Sequence, residues 1–430
     1  MKNIIILAYF FPPANFVASD RIAAWAKHLY KFGYYPTIIT RNWNEGQIDL
    51  TDKITDNSLK HEIYDTHEIY RLPYNRTVRD WLNDYPESGT ARLFRKSLSL
   101  LELILNNFSL RSIPYSNFYD FTKKLLDQFP HKYELIIASG RPFQLFFIAH
   151  LLYKSTGIKW IADYRDEWST FQNTSNKSIL QSLVAKLEAR SERKWLTNCT
   201  LFTTVSKEWE KSISSYINKN GCVVMNGFND DENFSFTPIK DKHKFEIAYV
   251  GTIYPIQEIE IFIGAIEAVI DQYQNDLKIV VNFIGIDTVP GQKERIQKAA
   301  KKHIKNFIFY TRMPKQELAE FYKQSDLLLA TGFKGIKGWY PVKIFEYCNA
   351  GIPILLCPSD KDVMEKLIID LNAGHIAQTK EECIAILTKI VKDKLAGKNW
   401  ETTINREELK KFSRENQTQA LARILDKILS

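Results

Sequence analysis

The chain has 430 residues, of which 45% are apolar and 25% are charged, and its formal net charge is +8. That length is ample for two globular domains, and the composition excludes a disordered or fibrous protein. A pI near 8.9 does not by itself indicate nucleic-acid binding, but it suits phosphorylated ligands or an anionic membrane surface. The sequence has no zinc-ligand spacing and no nucleic-acid motif, so we expect no metal and no nucleic-acid partner.

The cysteines are scattered and odd in number: Cys199, Cys222, Cys348, Cys357 and Cys383. Most lie in apolar runs, which is typical of buried free thiols in a reducing compartment. The opening apolar run at 4–7 is too short for a secretory signal, and no segment reaches the roughly 18–20 apolar residues of a transmembrane helix. We therefore expect a cytoplasmic protein, with peripheral attachment to the inner face of the cell membrane left open.

Strands and helices alternate through the first half of the chain. Short apolar strands are predicted at 3–8, 36–41, 68–72, 134–138, 159–162, 201–205 and 223–225. Residues 20–32 have helical periodicity, and Gly33 can end that helix in the left-handed conformation. This alternation predicts the parallel, doubly wound sheet of an α/β domain.

Residues 81–129 interrupt the alternation, because they are mostly helical. Arg92, Arg95, Lys96 and Arg111 lie there among aromatic and leucine residues. One interpretation is an insertion that faces the acceptor or a membrane. The other, which we favour, is a helical layer packed on the sheet with a solvated basic face.

Turn-forming and acidic residues at 226–234, followed by a charged run at 240–244, predict a linker. Further strands are then predicted at 245–250, 277–284, 306–310, 327–330 and 352–357. Thr379 and Glu382 have the spacing of a capping box, and 408–429 is helical.

The sequence thus predicts four segments. They are an N-terminal domain at 1–228, a linker at 229–244, a second doubly wound domain at 245–410, and a C-terminal helix at 411–430 that could pack back on the first domain. Two such domains leave a cleft between them in which strand ends face a ligand.

The segment 338–357 combines a loop, a short helix and a buried strand. Pro341 favours a helix start, and Gly351 favours a helix end. The free N–H groups of a helix N-terminus attract anions, and Lys343 adds a cation to that first turn. Glu346 lies on the same face, so the pair could hold a phosphate and a ribose; an exposed ion pair on an ordinary surface helix has the same spacing.

Several short motifs occur in a particular order along the chain. They are 8–13 (AYFFPP), 19–21 (SDR), 138–142 (ASGRP), 161–168 (IADYRDEW), 204–206 (TVS), 225–228 (MNGF), 249–252 (YVGT) and 341–347 (PVKIFEY). Together they resemble GT-B glycosyltransferases, most closely the family 4 enzymes of bacterial surface-polysaccharide assembly. The resemblance implies a GT-B fold, in which two doubly wound domains face a central cleft. It also implies transfer of a sugar from an NDP-sugar to a glycan or lipid-linked acceptor, with retention of configuration and without a further cofactor.

The site follows from these motifs and from the chemistry they need. Donor binding is assigned to Gly251, Thr252, Arg312, Tyr340, Val342, Lys343 and Glu346. In this assignment Lys343 and Arg312 meet the diphosphate, and the resemblance implies that Glu346 binds ribose hydroxyls. Acceptor or sugar contacts are assigned to Ser19, Arg21, Ser139, Gly140 and Arg141.

Asp163, Arg165 and Asp166 are the candidate catalytic residues, of which a carboxylate could orient or deprotonate the acceptor hydroxyl. The alternative is an ion-pair cluster that fixes the turn between strand and helix.

The chain departs from the family at Gly338, where many family 4 enzymes have a second glutamate. The glycine-rich stretch 331–338 is expected to be mobile, either as a loop that closes on the donor or as a plain connection. Two other functions remain compatible with the sequence. One is a UDP-GlcNAc 2-epimerase-like enzyme with the same two domains, and the other is a non-catalytic nucleotide-sugar binder or assembly partner.

Overall fold

The structure is a computed structural model that describes residues 1–47, 54–82, 89–171, 179–229, 241–398 and 403–430. The chain divides into two compact units. Unit 1 comprises Met1–Met225 together with Arg414–Ser430, and unit 2 comprises Asn226–Ser413. Most of the predicted linker at 229–244, and residues 83–88 of the predicted helical segment, lie outside the described residues.

Strands of the described residues form two sheets. They are β1 (Lys2–Ala8), β2 (Tyr34–Arg41), β3 (Lys60–Ile63), β4 (Glu68–Leu72), β5 (Tyr133–Gly140), β6 (Trp160–Tyr164), β7 (Leu201–Thr204), β8 (Gly221–Val223), β9 (Lys244–Val250), β10 (Lys278–Ile284), β11 (Phe307–Tyr310), β12 (Leu327–Ala330), β13 (Ile354–Leu356) and β14 (Gly374–Ile376). Unit 1 has the order β3-β4-β2-β1-β5-β6-β7-β8, parallel except for the antiparallel pair β3–β4. Unit 2 has the order β11-β10-β9-β12-β13-β14, and its pairings are parallel.

Helices connect most of these strands. They are α1 (Val17–His28), α2 (Val78–Leu82), α3 (Gly89–Leu105), α4 (Asn117–Gln128), α5 (Gln144–Thr156), α6 (Ile179–Trp195), α7 (Lys207–Ile217), α8 (Glu260–Tyr273), α9 (Gln292–Ala299), α10 (Lys315–Gln324), α11 (Val342–Ala350), α12 (Val363–Asp370), α13 (Lys380–Leu395), α14 (Arg406–Lys410) and α15 (Arg414–Leu429). The predicted α/β class with two Rossmann-like sheets is therefore confirmed.

Two strands were not predicted, and one is displaced. β3 has the sequence KHEI and no buried residue, so it carries no apolar pattern. β14 has three residues and begins at Gly374, where an added Cβ would lie 2.0 Å from the carbonyl oxygen of Ile354. Only glycine allows that close pairing with β13. β8 lies two residues before the predicted position, at Gly221–Val223.

The chain terminus from Arg414 is part of unit 1. Leu421 and Leu425 of α15 join the core formed by β1 and α1. Tyr34 donates a hydrogen bond to Asp426 over 2.6 Å, and the N–H of Met225 donates to the side chain of Gln417 over 2.7 Å. α15 is thus held by apolar burial on one side and by polar contacts at two points.

Local signals for helix ends correspond to the structure at two positions. Gly33 has a φ of 86°, in the left-handed region that glycine adopts without strain, and it ends the 3-10 turn Leu29–Phe32 after α1. Thr379 and Glu382 form the predicted capping box at the start of α13. Both features depend on residues that are close in sequence, which is why the sequence predicts them.

Glu167 is an unusual core residue of unit 1. Its side chain is 1% exposed, and neither carboxylate oxygen has a hydrogen-bond partner among the described residues. Burial raises the pKa of this carboxyl to about 7, and the nearby hydroxyl groups of Thr170 and Ser212, which lie outside hydrogen-bonding geometry, offset only part of the effect. The ionised form is therefore a liability for the folded state.

Replacement of Glu167 by Gln should make the stability of the protein less dependent on pH. Because the folded pKa lies above the unfolded value, stability falls as the pH rises through the interval from 4.5 to about 7, and the full penalty persists above it. The neutral amide avoids this penalty, so E167Q should be more stable than wild type at pH 8 by about 2–3 kcal/mol and similar to it at pH 4.5. Thermal unfolding at the two pH values measures the difference. The exposed Glu45 of the same unit provides the control, since E45Q should leave the pH dependence unchanged.

Candidate functional site

The strand order of unit 2 reverses between β9 and β12, which creates a crevice at the carboxyl ends of these strands. The chain winds from β9 outward to β10 and β11, and then returns to β12 on the other side of β9. Loops that follow β9 and β12 therefore diverge, and ligands of such folds bind at this switch point beyond the carboxyl ends of the strands. Gly251 and Thr252 follow β9, Arg312 follows β11, and Lys343 lies in the first turn of α11. The structure thus brings the predicted donor-binding elements to the carboxyl-terminal end of the unit 2 sheet.

Lys343 and Tyr347 join α11 to the end of β9. The Nζ of Lys343 donates to the carbonyl of Val250 over 3.1 Å and lies 3.6 Å from the centroid of the Tyr249 ring. One helical turn later, the hydroxyl of Tyr347 accepts a hydrogen bond from the N–H of Val250 over 2.8 Å. The backbone of Val250 is consequently bound on both its donor and its acceptor by one face of α11.

The ammonium group of Lys343 is poorly solvated. Burial lowers the pKa of Lys343 to about 7, and the negative charge of Glu346 offsets only part of that effect. A carbonyl and an aromatic face favour the cation but carry no full negative charge. An anion that reaches this position would restore the charged form, so the geometry suits a phosphate.

Two glycines extend the sheet beyond β9 and β10. The N–H of Gly251 donates to Ile284 over 2.8 Å, and the N–H of Gly285 donates to Tyr310 over 2.9 Å. Their φ angles of 89° and 71° are left-handed, so any other residue would be strained at either position. Gly285 lies against the backbone of Arg312, with 3.5 Å between a built Cβ and the Cα of Arg312. These turns leave the strand ends free of side chains beside the predicted donor residues.

Gln257 ties the two sides of the switch point together. Its amide nitrogen donates to Thr331 Oγ1 over 2.6 Å, and its amide oxygen accepts from the N–H of Tyr254 over 2.8 Å. The side chain is fully buried, so this contact fixes the loop after β9 against the loop after β12. Sequence reasoning missed Gln257, because its stretch has neither helical nor strand periodicity.

The glycine-rich stretch 331–338, which the sequence predicts to be mobile, is anchored at several points in the structure. The N–H of Gly332 donates to the carbonyl of Pro358 over 2.7 Å, and the rings of Phe333 and Trp339 stack at 4.6 Å. Gly338 has a φ of 73°, and its N–H donates to the carboxylate of Asp362 over 2.6 Å. A carboxylate therefore does lie beside position 338, although it comes from the loop before α12.

A pocket of about 210 Å³ lies between this stretch and the loop after β13. Lys334, Lys337 and Lys361 line it together with Glu258 and Asp360. Lys334 pairs with Glu258 over 2.7 Å, and Lys337 donates to the carbonyl of Lys361 over 3.2 Å. The pocket is polar and carries cations, which suits the polar or anionic part of a ligand.

Tyr340 and Val342, also assigned to donor binding, flank the start of α11. Tyr340 packs on Phe345 with 5.6 Å between ring centroids, and both Tyr340 and Val342 are partly exposed. They lie within one helical turn of Lys343, so the predicted donor residues of the segment 340–346 occupy one short stretch of surface and core.

Asp163 of unit 1 lies in the protein interior. Its two oxygens accept hydrogen bonds from Arg21 Nη2 (2.9 Å) and Nε (3.3 Å), from Ser139 Oγ (2.8 Å) and from Thr203 Oγ1 (2.8 Å). The side chain of Asp163 is 0% exposed. With its lone pairs occupied and no path to solvent, Asp163 anchors β5, β6, β7 and α1 to one another and is not placed to touch an acceptor hydroxyl.

Arg21, Ser139 and Ser19 are also buried, contrary to their assigned contacts with the acceptor or sugar. Arg21 donates hydrogen bonds to the carboxylate of Asp163 and, from Nη1, to the carbonyl of Met225 over 3.1 Å. These residues therefore lie in the interior of unit 1, where they hold its strands and α1 together, and not on its surface. The sequence motifs do not show which members of the cluster face inward.

Arg165, Asp166 and Arg141 lie nearer the surface. Arg165 donates from Nε to the carbonyl of Gly140 over 3.1 Å and from Nη2 to that of Arg141 over 2.9 Å. Burial lowers the pKa of Arg165, which nevertheless remains a cation. Asp166 and Arg141 face each other at 4.0 Å and are 41% and 57% exposed, so they are the members of this group that an acceptor can reach.

Gly140 leaves no room for a side chain in the turn after β5. An added Cβ would lie 2.6 Å from the ring of Phe143, and the carbonyl of Gly140 holds Arg165. Its part is therefore to let the backbone carry Arg141 and Arg165 close together.

The described residues contain neither a metal centre nor a membrane-spanning helix. No three His, Cys, Asp or Glu side chains there come together in a way that could hold a metal ion. Within the same ranges, no helix is both long and apolar enough to cross a membrane.

Residues 230–416 match the family model of glycosyl transferases group 1. No curated protein matches the chain in sequence. Sucrose-phosphate synthase from Thermosynechococcus elongatus is similar in structure, with a TM-score of 0.65 and 13% identity over 100% of this chain and 99% of that one. An alpha,alpha-trehalose-phosphate synthase from Burkholderia xenovorans, in complex with glucose-6-phosphate, gives a TM-score of 0.61 and 10% identity over 100% of both chains. HepE from Anabaena, in complex with UDP and glucose, gives 0.55 and 12% over 99% of this chain and 100% of that one.

The structural likeness extends over the whole chain and shows that the protein has the GT-B fold, as the motifs predict. The family match shows that the segment 230–416 is similar to group 1 glycosyl transferases. The prediction that the protein is a glycosyltransferase is confirmed at this level.

The contrast between Asp163 and Asp166 can be tested by stability. D163N leaves Arg21 as an uncompensated buried charge, so it should destabilise the protein by about 3 kcal/mol. D166N removes only a partly exposed contact and should change stability by less than about 0.5 kcal/mol. Urea unfolding of both variants measures the difference. Equal stability of D163N and wild type would show that the buried ion pair does not hold the unit together.

Proposed function

We propose that this protein transfers a sugar from an NDP-sugar to a glycan or lipid-linked acceptor, on the cytoplasmic side of a bacterial membrane, as a family 4-type enzyme of surface-polysaccharide assembly. The observation that carries the proposal is Lys343. It is a partly buried ammonium at the N-terminus of α11, beside the strand ends of a group 1 glycosyltransferase domain. The presence of UDP and glucose in HepE, and of glucose-6-phosphate in the trehalose-phosphate synthase, supports the substrate class.

In the proposed reaction, negative charge develops on the leaving diphosphate, beside the cations at the carboxyl-terminal end of the unit 2 sheet. The bond between the anomeric carbon and the diphosphate oxygen breaks, and negative charge develops on the leaving diphosphate. Lys343, the N–H groups that open α11 and the guanidinium of Arg312 stabilise that charge, so no metal or further cofactor is required. The acceptor oxygen forms the new bond to the anomeric carbon. Its proton passes to the leaving phosphate on the same face, which gives retention.

The remaining assigned residues orient the substrates. Glu346 lies one helical turn from Lys343, and its carboxylate can accept two hydrogen bonds from the ribose. In unit 1, Asp166 and Arg141 are the exposed groups that bind the acceptor, and Arg165 positions them through the turn at 140–141.

The function is tested by incubation with UDP-, GDP-, dTDP- and ADP-sugars. A donor at about 100 times its Kd should raise the free energy of unfolding by about 2.7 kcal/mol, and the same donor should release its nucleoside diphosphate slowly without acceptor and in the presence of EDTA. Conversion of UDP-GlcNAc to a ManNAc product would instead establish the epimerase alternative. Binding without turnover in any acceptor extract would establish a non-catalytic binder.

Binding of a nucleoside diphosphate should be linked to proton uptake by Lys343. At pH 8 the free protein holds this group largely neutral, whereas the complex requires the ammonium, so binding should take up about one proton. Affinity should therefore fall by up to about tenfold for each pH unit above 7, and it should be nearly constant just below 7. Titration calorimetry in buffers of different ionisation enthalpy counts the protons directly.

K343M is the matched test of this linkage. It keeps the volume of the side chain, lowers affinity at pH 7 by about 2 kcal/mol, and abolishes proton uptake. K366M removes an exposed lysine of the same unit and should leave both quantities unchanged. Proton uptake that persists in K343M would assign it to another group.

The role of Glu346 is separable from that of Lys343. Wild type should bind a 2′,3′-dideoxynucleoside diphosphate about tenfold more weakly than the ordinary one, because the ribose hydroxyl contacts are lost. E346Q should weaken the ordinary nucleotide and discriminate little between the two. If E346Q kept the full discrimination, the ribose contact would lie elsewhere; E381Q, at an exposed residue on α13, is the control.

A further inference from the structure

Several large apolar side chains of helix α3 are exposed to solvent. None of the residues 94–105 is buried, although seven of them are leucine, isoleucine or phenylalanine. Phe94 is 57% exposed and Leu101 is 51% exposed, and Phe108 just after the helix is 65% exposed. The next helix, α4, behaves in the ordinary way and buries Phe118 and Leu125. α4 thus fits the favoured expectation of a helix packed on the sheet, whereas the described part of α3 leaves its apolar residues partly or largely exposed.

A second helix with the same property lies against the first. α6 contacts α3, and its first turns carry Ile179, Leu180 and Leu183, which are 84%, 48% and 57% exposed. Exposed apolar side chains on two neighbouring helices exceed the scattered single residues that are normal for a soluble surface. We name the exposed apolar residues of α6, of α3 and of the turn just after α3 the α3–α6 surface: Phe94, Leu101, Leu105, Phe108, Ile179, Leu180 and Leu183.

The same segments are strongly basic. Residues 89–112 contain four cations (Arg92, Arg95, Lys96 and Arg111) and one acid (Glu102). Residues 179–195 contain four cations (Lys186, Arg190, Arg193 and Lys194) and two acids (Glu188 and Glu192). These two segments therefore account for five of the eight net positive charges of the chain. Glu192 is moreover buried, where it accepts a hydrogen bond from Tyr164 over 2.7 Å.

Apolar and basic residues on one helical segment match a single kind of partner best. A protein interface core is depleted in charge, whereas an anionic bilayer attracts lysine and arginine and receives leucine and phenylalanine at its headgroup boundary. We propose that the α3–α6 surface docks unit 1 on an anionic lipid membrane. The helices lie in the interface and do not cross it. This contact goes beyond sugar transfer and does not depend on it, since lipid binding requires neither donor nor acceptor.

Vesicle sedimentation tests the docking directly. The full chain should bind vesicles of phosphatidylglycerol and phosphatidylcholine, bind phosphatidylcholine vesicles at least about tenfold more weakly, and dissociate at high salt. The triple variant F94S/L101S/F108S should bind the anionic vesicles at least about tenfold more weakly than wild type. K96E/R111E should also lose binding, but only to the anionic vesicles.

Matched controls separate docking from folding. I369S changes an exposed apolar residue of α12 in unit 2, and I63S changes one of β3 in unit 1, and neither should affect vesicle binding. The triple variant should keep its melting temperature and its affinity for the nucleoside diphosphate, so failure of the lipid proposal is distinguishable from failure of the donor site.

Two outcomes would overturn the proposal. One is equal binding of wild type and the triple variant to anionic vesicles. The other is no vesicle binding together with a dimer, detected by light scattering, that the triple variant dissociates; that result would assign the surface to a second copy of the chain.

Discussion

The contact between α11 and the end of β9 is the constraint on which the proposed donor site depends. Val250 presents its carbonyl to Lys343 and its N–H to Tyr347, so the helix cannot move along the strand without breaking both hydrogen bonds. This fixes the N-terminus of α11 beside the glycine turns at 251 and 285. A partly buried ammonium is destabilising, and this one lies where an anionic ligand would stabilise it.

Unit 1 also contains a buried charged side chain, but this one is fully paired. Asp163 is also buried at a strand end, but it has partners for both oxygens and a full counter-charge in Arg21. A satisfied ion pair rigidifies its surroundings and has no need of a further partner. The charge of Glu346, in contrast, offsets only part of the effect of burial on Lys343, so this cation gains from binding an anion. The two clusters show why a motif match alone does not separate supporting residues from reacting ones.

The sequence predicted what depends on near neighbours and missed what depends on distant ones. Strands, the helix end at Gly33 and the capping box follow from local patterns. Asp163 meets Arg21 across 142 residues and Lys343 meets Val250 across 93, and no periodicity encodes such pairs. The basic, leucine-rich pattern of α3 likewise predicts an amphipathic helix, but it does not reveal what covers the apolar face.

Position 338 shows how a departure from a family pattern can be read physically. The resemblance places an acid there, and the chain has a glycine whose φ of 73° excludes an ordinary glutamate backbone without strain. The N–H that this turn exposes is bound by Asp362, which lies 24 residues further along the chain. The turn therefore favours glycine at position 338, and the hydrogen bond from its N–H holds the carboxylate of Asp362 beside that position. The loss of the side chain at 338 and the presence of Asp362 beside it are two aspects of one local structure.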